Sequence, residues 1–132
     1  MIKTILLCFL LVTSSLFGQE IGSVKNDNHS IKLLKTPSTY SLIYSDINSS
    51  SDNIINFQIK ETVYDIIMDG FKNNTDHLVI VKTSNDTIVK FEFKEIKGVK
   101  MLKIKQNNLP KNTFGTSTFF SKPDMIALFG NP

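Results

Sequence analysis

Residues 87–106 read TIVKFEFKEIKGVKMLKIKQ, and apolar and charged side chains alternate on both sides of a Gly-containing interruption. Alternation with a period of two is typical of a β-strand that buries one face and exposes the other. The interruption at residues 95–98 indicates a turn. This stretch therefore predicts a β-hairpin, and its hydrophobic face needs further elements to cover it.

The alternation also indicates how the two strands pair. A four-residue loop places Lys94 opposite Val99 and sorts the apolar residues onto one face, which consists of Val89, Phe91, Leu102 and Ile104. On the other face Lys90 lies opposite Lys103. Phe93 fits this register poorly. A slip by one residue would move the whole apolar set to the wrong face, so the two faces are well specified.

The polar face of the hairpin is the main candidate for ligand binding. Its residues are Lys90, Lys103 and Lys105, with Lys82 of the preceding strand alongside. A basic face attracts anionic glycans, envelope phosphates or an acidic protein. Lysines also mark the solvated side of many sheets and discourage edge-to-edge pairing. Both interpretations stay open at this point.

Short alternating runs predict further strands along the chain, at residues 31–34, 40–44, 54–60, 78–83 and 115–121. The period changes to that of a helix in residues 62–72, where Val63, Ile66, Ile67 and Phe71 share one face. Thr62 and Asp65 have the spacing of a capping pair at its start.

A second, shorter helix is predicted near the end of the chain. Ser121-Lys122-Pro123-Asp124 has a Ser cap, a proline in the first turn and an acid at the third position, and Gly130 fits the position after the last turn. Together these elements predict an α+β fold. We expect an antiparallel sheet of four to six strands with one short amphipathic helix packed on one face and a C-terminal helical turn.

The first eighteen residues, MIKTILLCFLLVTSSLFG, have the layout of a secretory signal peptide. Lys3 precedes an apolar run of eight residues that is too short to span a bilayer, and small residues follow. The end of this segment resembles the signal peptides of exported Bacteroidetes proteins. We expect cleavage near Gly18, a periplasmic or extracellular location, and no stable membrane span after cleavage.

The sequence predicts one domain after the signal. Residues 19–35 are interpreted as a flexible leader with a candidate edge strand, and residues 36–130 as a single small α+β domain. Cys8 is the sole cysteine and lies within the signal, so disulfides and thiolate ligands are not expected in the mature chain. All 15 basic residues are lysine. Arginine is the residue of bidentate guanine and phosphate recognition, and its absence argues against nucleic-acid binding.

Candidate catalytic or metal-binding groups are few. His29 and His77 are far apart and match no metal-ligand spacing. Asp65 and Asp69 lie one helical turn apart, a separation that brings two carboxylates together. The same separation is typical of a solvated helix face. The chain carries none of the common nucleophile, zinc or phosphate-loop motifs. Neither a metal nor a cofactor is predicted.

A separate candidate is a modification site at Thr87. Asp86-Thr87-Ile88 is similar to the Asp-Ser/Thr-aliphatic motif of Bacteroidetes O-glycosylation. The motif falls in a predicted turn of a predicted exported chain, and the resemblance implies Thr87 as the acceptor.

These observations favour a small exported, non-enzymatic binding module whose partner is an envelope protein or an anionic glycan. Two alternatives remain from other classes. One is an inhibitor or immunity-type protein that blocks the active site of another protein, and the other is an enzyme whose site the motifs do not reveal.

Overall fold

The computed structural model describes residues 18–83 and 86–130, so the predicted signal peptide, apart from Gly18, lies outside the described residues. Eight strands and two helices follow in chain order: β1 (Gln19–Asn26), β2 (His29–Lys35), β3 (Tyr40–Ser45), β4 (Asp52–Phe57), α1 (Lys60–Lys72), β5 (His77–Lys82), β6 (Thr87–Ile96), β7 (Val99–Asn108), β8 (Thr113–Ser121) and α2 (Lys122–Leu128).

The strands form two antiparallel sheets. Sheet A has the order β1-β2-β3-β4 and sheet B the order β5-β6-β7-β8, so each is a meander of neighbouring strands. The predicted α+β class is confirmed, but the single predicted sheet is in fact two. Each half of the chain has the same layout, a four-stranded meander followed by a helix.

One core joins the two sheets. The side chains that point inward from both sheets and both helices belong to a single buried cluster, in which Phe93, Leu102 and Ile67 are fully covered. A polar contact reinforces the junction, because the Tyr44 hydroxyl donates to Gln106 Oε1 at 2.5 Å. Gln106 Nε2 in turn donates to the carbonyl of Ile54 at 3.2 Å. Gln106 of sheet B is thereby linked to both β3 and β4 of sheet A.

The predicted register of the β6–β7 hairpin is wrong by two residues. The loop is a two-residue turn of Lys97 and Gly98, with φ of 52° and 81°, and Ile96 pairs with Val99. Two consecutive residues with positive φ match the twist of a tight hairpin, and glycine adopts this conformation easily. Because the shift is even, the apolar face is the predicted one. It also brings Phe93 opposite Leu102 in the core, which removes the predicted misfit.

The prediction of a flexible leader is also wrong for residues 19–30. They form β1 and the turn to β2, and β1 pairs with β2 along its length. Its register shifts between Glu20 and Gly22, where the chain approaches α2 closely. A Cβ on Gly22 would lie 2.3 Å from the carbonyl oxygen of Leu128, so only glycine allows this approach.

The two helices begin differently. Helix α1 starts at Lys60, two residues before the predicted Thr62, and its N-cap Ile59 offers no side-chain hydrogen bond, so the Thr62–Asp65 capping prediction is wrong. Helix α2 has the predicted cap. Ser121 Oγ accepts from the Asp124 amide at 3.2 Å, and the Ser121 amide donates to Asp124 Oδ2 at 2.9 Å. These two reciprocal hydrogen bonds satisfy two backbone N–H groups that have no partner within the helix.

The buried phenol of Tyr44 predicts a pH effect on stability. Burial raises the pKa of Tyr44 well above its usual value of 10.0, and the carboxylate of Asp46 adds to the rise. The folded pKa exceeds the unfolded one, so the contribution of Tyr44 is complete below pH 10 and is lost as the pH rises further. We expect the free energy of unfolding to fall above pH 10 more steeply than in Tyr44→Phe.

Chemical denaturation at several pH values between 7.5 and 11 measures this difference. At neutral pH the Tyr44→Phe variant should lose about 1–2 kcal/mol, because Gln106 Oε1 loses its donor. Parallel pH profiles for the two proteins would contradict the assignment of the alkaline effect to Tyr44.

Candidate binding face on sheet B

The predicted lysines lie together on the outer face of sheet B, which we call the lysine face. The strand registers align its side chains in rows that cross all four strands. The three complete rows are Leu78, Glu92, Lys103 and Phe119; Ile80, Lys90, Lys105 and Thr116; and Lys82, Ile88, Asn107 and Phe114. Charged side chains occupy the middle of this surface, and apolar ones lie mostly toward the two edge strands.

The corrected register changes the pairing of the lysines. Lys90 lies opposite Lys105, and Lys103 lies opposite Glu92. Lys105 forms an ion pair with Glu92 at 2.8 Å. Lys103 Nζ lies 4.4 Å from the ring centroid of Phe119, a cation–π contact. The charges of these two lysines are therefore partly compensated within the sheet.

Lys82 is compensated more weakly. It lies 3.5 Å from Asp86, and both side chains are more than 60% exposed. Such an exposed ion pair contributes little to stability, and a charged ligand displaces it easily.

Lys90 differs from its neighbours. Its side chain is exposed, and no residue within the described ranges forms an ion pair with it. It lies directly opposite Lys105, an arrangement of like charges that costs some stability unless an anion is near. Glu92 relieves part of this repulsion through Lys105. The centre of the lysine face thus keeps a net positive charge that is available to a ligand.

Two shallow grooves meet at Lys90. The first has a volume of about 190 Å³ and runs over β6, β7 and β8 between Ile88 and Phe114, with Lys90, Lys105 and Asn107 along it. The second has a volume of about 450 Å³ and extends toward Asp76 and the start of β5. We call the first one the Asn107 groove.

The Asn107 groove contains a buried hydrogen-bond acceptor. Asn107 Oδ1 has almost no exposed surface and accepts no hydrogen bond from the described residues. A buried polar atom without a partner costs free energy comparable to a lost hydrogen bond. Because the atom is covered, a ligand hydroxyl or amine would reach it only after the Asn107 side chain turns toward the groove.

Exposed apolar side chains flank the charged centre. Phe114 is 68% exposed at one end of the lysine face, and Ile80 is 61% exposed on the edge strand β5. Large apolar groups in such positions add contact area for a ligand that the charges attract. The lysine face therefore combines positive charge, an unsatisfied acceptor and apolar platforms.

The other candidate residues do not assemble into a site. Asp65 and Asp69 are exposed on α1. The His77 ring stacks on Phe93 at 4.9 Å and its Nδ1 contacts the carbonyl of Thr75. Within residues 18–83 and 86–130, no group of three His, Cys, Asp or Glu side chains is arranged to hold a metal ion.

Thr87, the predicted glycosylation acceptor, begins β6 with its side chain inward and is 4% exposed. Attachment of a glycan to its hydroxyl would need access before the strand packs. The motif stays a prediction.

Sequence reasoning missed Asn107 and Phe114. The predicted strands stop at residue 106 and resume at residue 115, so neither residue lies in a predicted strand. A bulge in β8 also interrupts the alternation of inward and outward side chains. At this bulge Ser117 Oγ accepts a hydrogen bond from the Ile104 amide at 2.9 Å, and the register between β7 and β8 shifts. As a result Thr116 and Phe119 both face outward, although they are three residues apart.

Comparisons of the chain with protein-family models, with curated proteins and with solved structures found no match. In the part of the chain that the structure describes, neither helix is long and apolar enough to cross a membrane. The geometry of the lysine face is therefore the basis for a functional proposal.

Proposed function

We propose that this chain is an exported, non-enzymatic binding module whose lysine face holds an anionic polysaccharide. One observation carries the proposal. The same groove is lined by Lys90, which has no ion-pair partner among the described residues, by Asn107, whose Oδ1 accepts no hydrogen bond from them, by Lys105 and by the exposed ring of Phe114. The proposal of export, to the periplasm or beyond the cell, rests on the predicted signal peptide.

Each of these groups matches one part of an acidic sugar. A carboxylate or sulfate meets the ammonium groups of Lys90 and Lys105. The Asn107 side chain turns into the groove so that its Oδ1 accepts from a sugar hydroxyl, and the C–H face of the ring covers Phe114. Lysine is a point charge without the planar fork of arginine, so we expect charge-dependent and strongly salt-sensitive binding of a polymer.

An envelope protein with an acidic surface is the other partner that the charge suggests. It would meet the same two lysines, but the Asn107 groove favours a ligand that carries hydroxyl donors next to its anionic groups. A repeating acidic polysaccharide supplies both along its length. The rows of side chains across sheet B offer it an extended surface, since neighbouring strands lie about 4.8 Å apart.

The contribution of Phe114 tests the proposal. We expect Phe114→Ala to weaken binding of polygalacturonate about three- to tenfold, because the variant loses the apolar platform while keeping every lysine. Leu109→Ala is the matched control. Leu109 is 48% exposed in the turn between β7 and β8 but does not line the groove. Fluorescence anisotropy with labelled oligogalacturonate measures both affinities. Equal affinities for the two variants would argue against the groove.

A further inference from the structure

A second cleft lies on another part of the molecule, along β4. This strand is at the edge of sheet A and pairs only with β3 among the described strands. Three neighbouring spaces follow it, and we call them together the β4 cleft. A polar mouth of about 240 Å³ borders an apolar throat of about 40 Å³, which borders an apolar groove of about 270 Å³ next to α1.

The three spaces adjoin one another, since they share lining side chains. Ile55 lines both the polar mouth and the throat, while Phe57, Val63 and Val81 line both the throat and the groove. The inward-facing Val81 is only half-buried, although it belongs to a core face. The hydrophobic core is thus incompletely covered along this seam.

Polarity changes from one end of the β4 cleft to the other. Thr87, Asn108 and Lys111 line the polar mouth. Apolar side chains surround the throat, and the Thr83 hydroxyl beside it donates to the carbonyl of Thr87 at 3.2 Å. At the far end, Ile59 is 59% exposed over the groove.

This gradient restricts the ligand. At about 40 Å³, the throat has too little room for a sugar ring or a peptide strand. A peptide would also bury backbone groups there without partners. A single alkyl chain needs no hydrogen bonds and has the smallest cross-section of the common biological ligands.

The charge at the polar mouth indicates the other end of the ligand. Lys111 is exposed and forms no ion pair with any residue in the described ranges. We propose that the β4 cleft binds a fatty acid, with its alkyl chain in the throat and groove and its carboxylate at Lys111. Binding would cover Ile59 and the partly exposed core residues. This site shares no residue with the Asn107 groove, although Lys82 of the lysine face also lines the groove next to α1. The proposal does not rest on polysaccharide binding.

Titration calorimetry with dodecanoate below its micellar concentration tests the proposal. We expect one molecule to bind per chain and Val81→Phe to lower the affinity at least tenfold by filling the throat. Val79→Phe is the matched control, because Val79 is a half-buried, inward-facing valine of the same strand that does not line the cleft. Its affinity should stay within threefold of the unmodified protein. Absence of dodecanoate binding, or equal losses in both variants, would overturn the proposal.

A second pair of variants keeps the test decisive if Val81→Phe fails to fold. Ile59→Glu places a carboxylate at the exposed end of the groove and should lower dodecanoate affinity at least tenfold, while Val99→Glu on the β6–β7 hairpin should leave it unchanged. Equal effects of these two variants would also overturn the site.

A separate measurement tests whether Lys111 binds the carboxylate of the fatty acid. Lys111→Gln should weaken dodecanoate about three- to fivefold and leave dodecanol binding unchanged, with the exposed Lys25→Gln as control. Similar losses for both ligands would overturn the role of Lys111. Polygalacturonate binding should be unaffected in Val81→Phe and Val79→Phe, which keep the charge of the protein. The two glutamate variants and the two lysine variants each lower the net charge by one, so a small electrostatic change is expected in all four.

Discussion

Gly70→Ala is expected to destabilise the protein by about 1–3 kcal/mol, although alanine is the better helix former by about 1 kcal/mol. Gly70 is buried in α1 against the ring of Phe93, and a Cβ at this position would lie 2.0 Å from Phe93 Cζ. The Phe93 ring has little freedom to move, because it is fully buried between the rings of Phe71 and His77. The ring centroids of Phe71 and Phe93 are 5.2 Å apart. Overpacking therefore outweighs helix propensity.

Urea denaturation of three variants tests this packing. Asp69→Ala changes an exposed neighbour in the same helix and should alter stability by less than about 0.5 kcal/mol. The double variant Gly70→Ala/Phe93→Leu should show favourable coupling between the two sites, since the smaller side chain relieves the contact. A Gly70→Ala protein that is more stable than the parent would contradict the close approach of α1 to sheet B.

The second large effect concerns charge on the lysine face. Lys90→Gln/Lys105→Gln should weaken binding of polygalacturonate about ten- to thirtyfold, because each lysine near an anionic surface contributes about 1 kcal/mol. The double variant also reduces the salt dependence of binding, as fewer counterions are released. Affinity measured at several salt concentrations gives both quantities.

The matched control has the same net charge but keeps the lysine face. Lys25→Gln/Lys32→Gln removes two exposed lysines from the neighbouring strands β1 and β2 of sheet A. Its affinity should fall by less than threefold. Equal losses in the two double variants would mean that only the overall charge of the protein attracts the polymer, and the lysine face would have no special role.

The alternation of residues 87–106 was sufficient to predict the faces of the hairpin but not its register. A shift of two residues leaves every side chain on its predicted face, so the period-two pattern cannot distinguish the two registers. The turn decides between them. Lys97-Gly98 accommodates two positive φ values, and Ile96 gains a partner in Val99 when the turn is this short.

Strand β1 shows why local sequence was insufficient for the N-terminal part. Its side chains are exposed or half-buried, with Ile21 and Val24 packed only at the margin of the core. The strand is held by its pairing with β2 and by the contact of Gly22 with α2, which comes from the far end of the chain. The division into two sheets also depends on contacts between distant parts of the chain. Local sequence predicts where strands form more readily than which strands pair.

The candidate site was predictable in part. The lysines alternate with core residues, so their shared face follows from the sequence alone. The Asn107 groove does not, because it depends on the length of β7 and on the bulge at Ser117, which turns the outer face of β8. A buried acceptor without a partner is likewise a property of the assembled strands.

The most direct test of the account maps where the ligand binds. Oligogalacturonate is titrated into the isotopically labelled protein while backbone amide chemical shifts are recorded. We predict that the largest changes cluster on the lysine face, around Ile88, Lys90, Lys105, Asn107 and Phe114, and that they diminish as salt is added. Changes confined to sheet A, or no changes at millimolar ligand in low salt, would contradict the central claim.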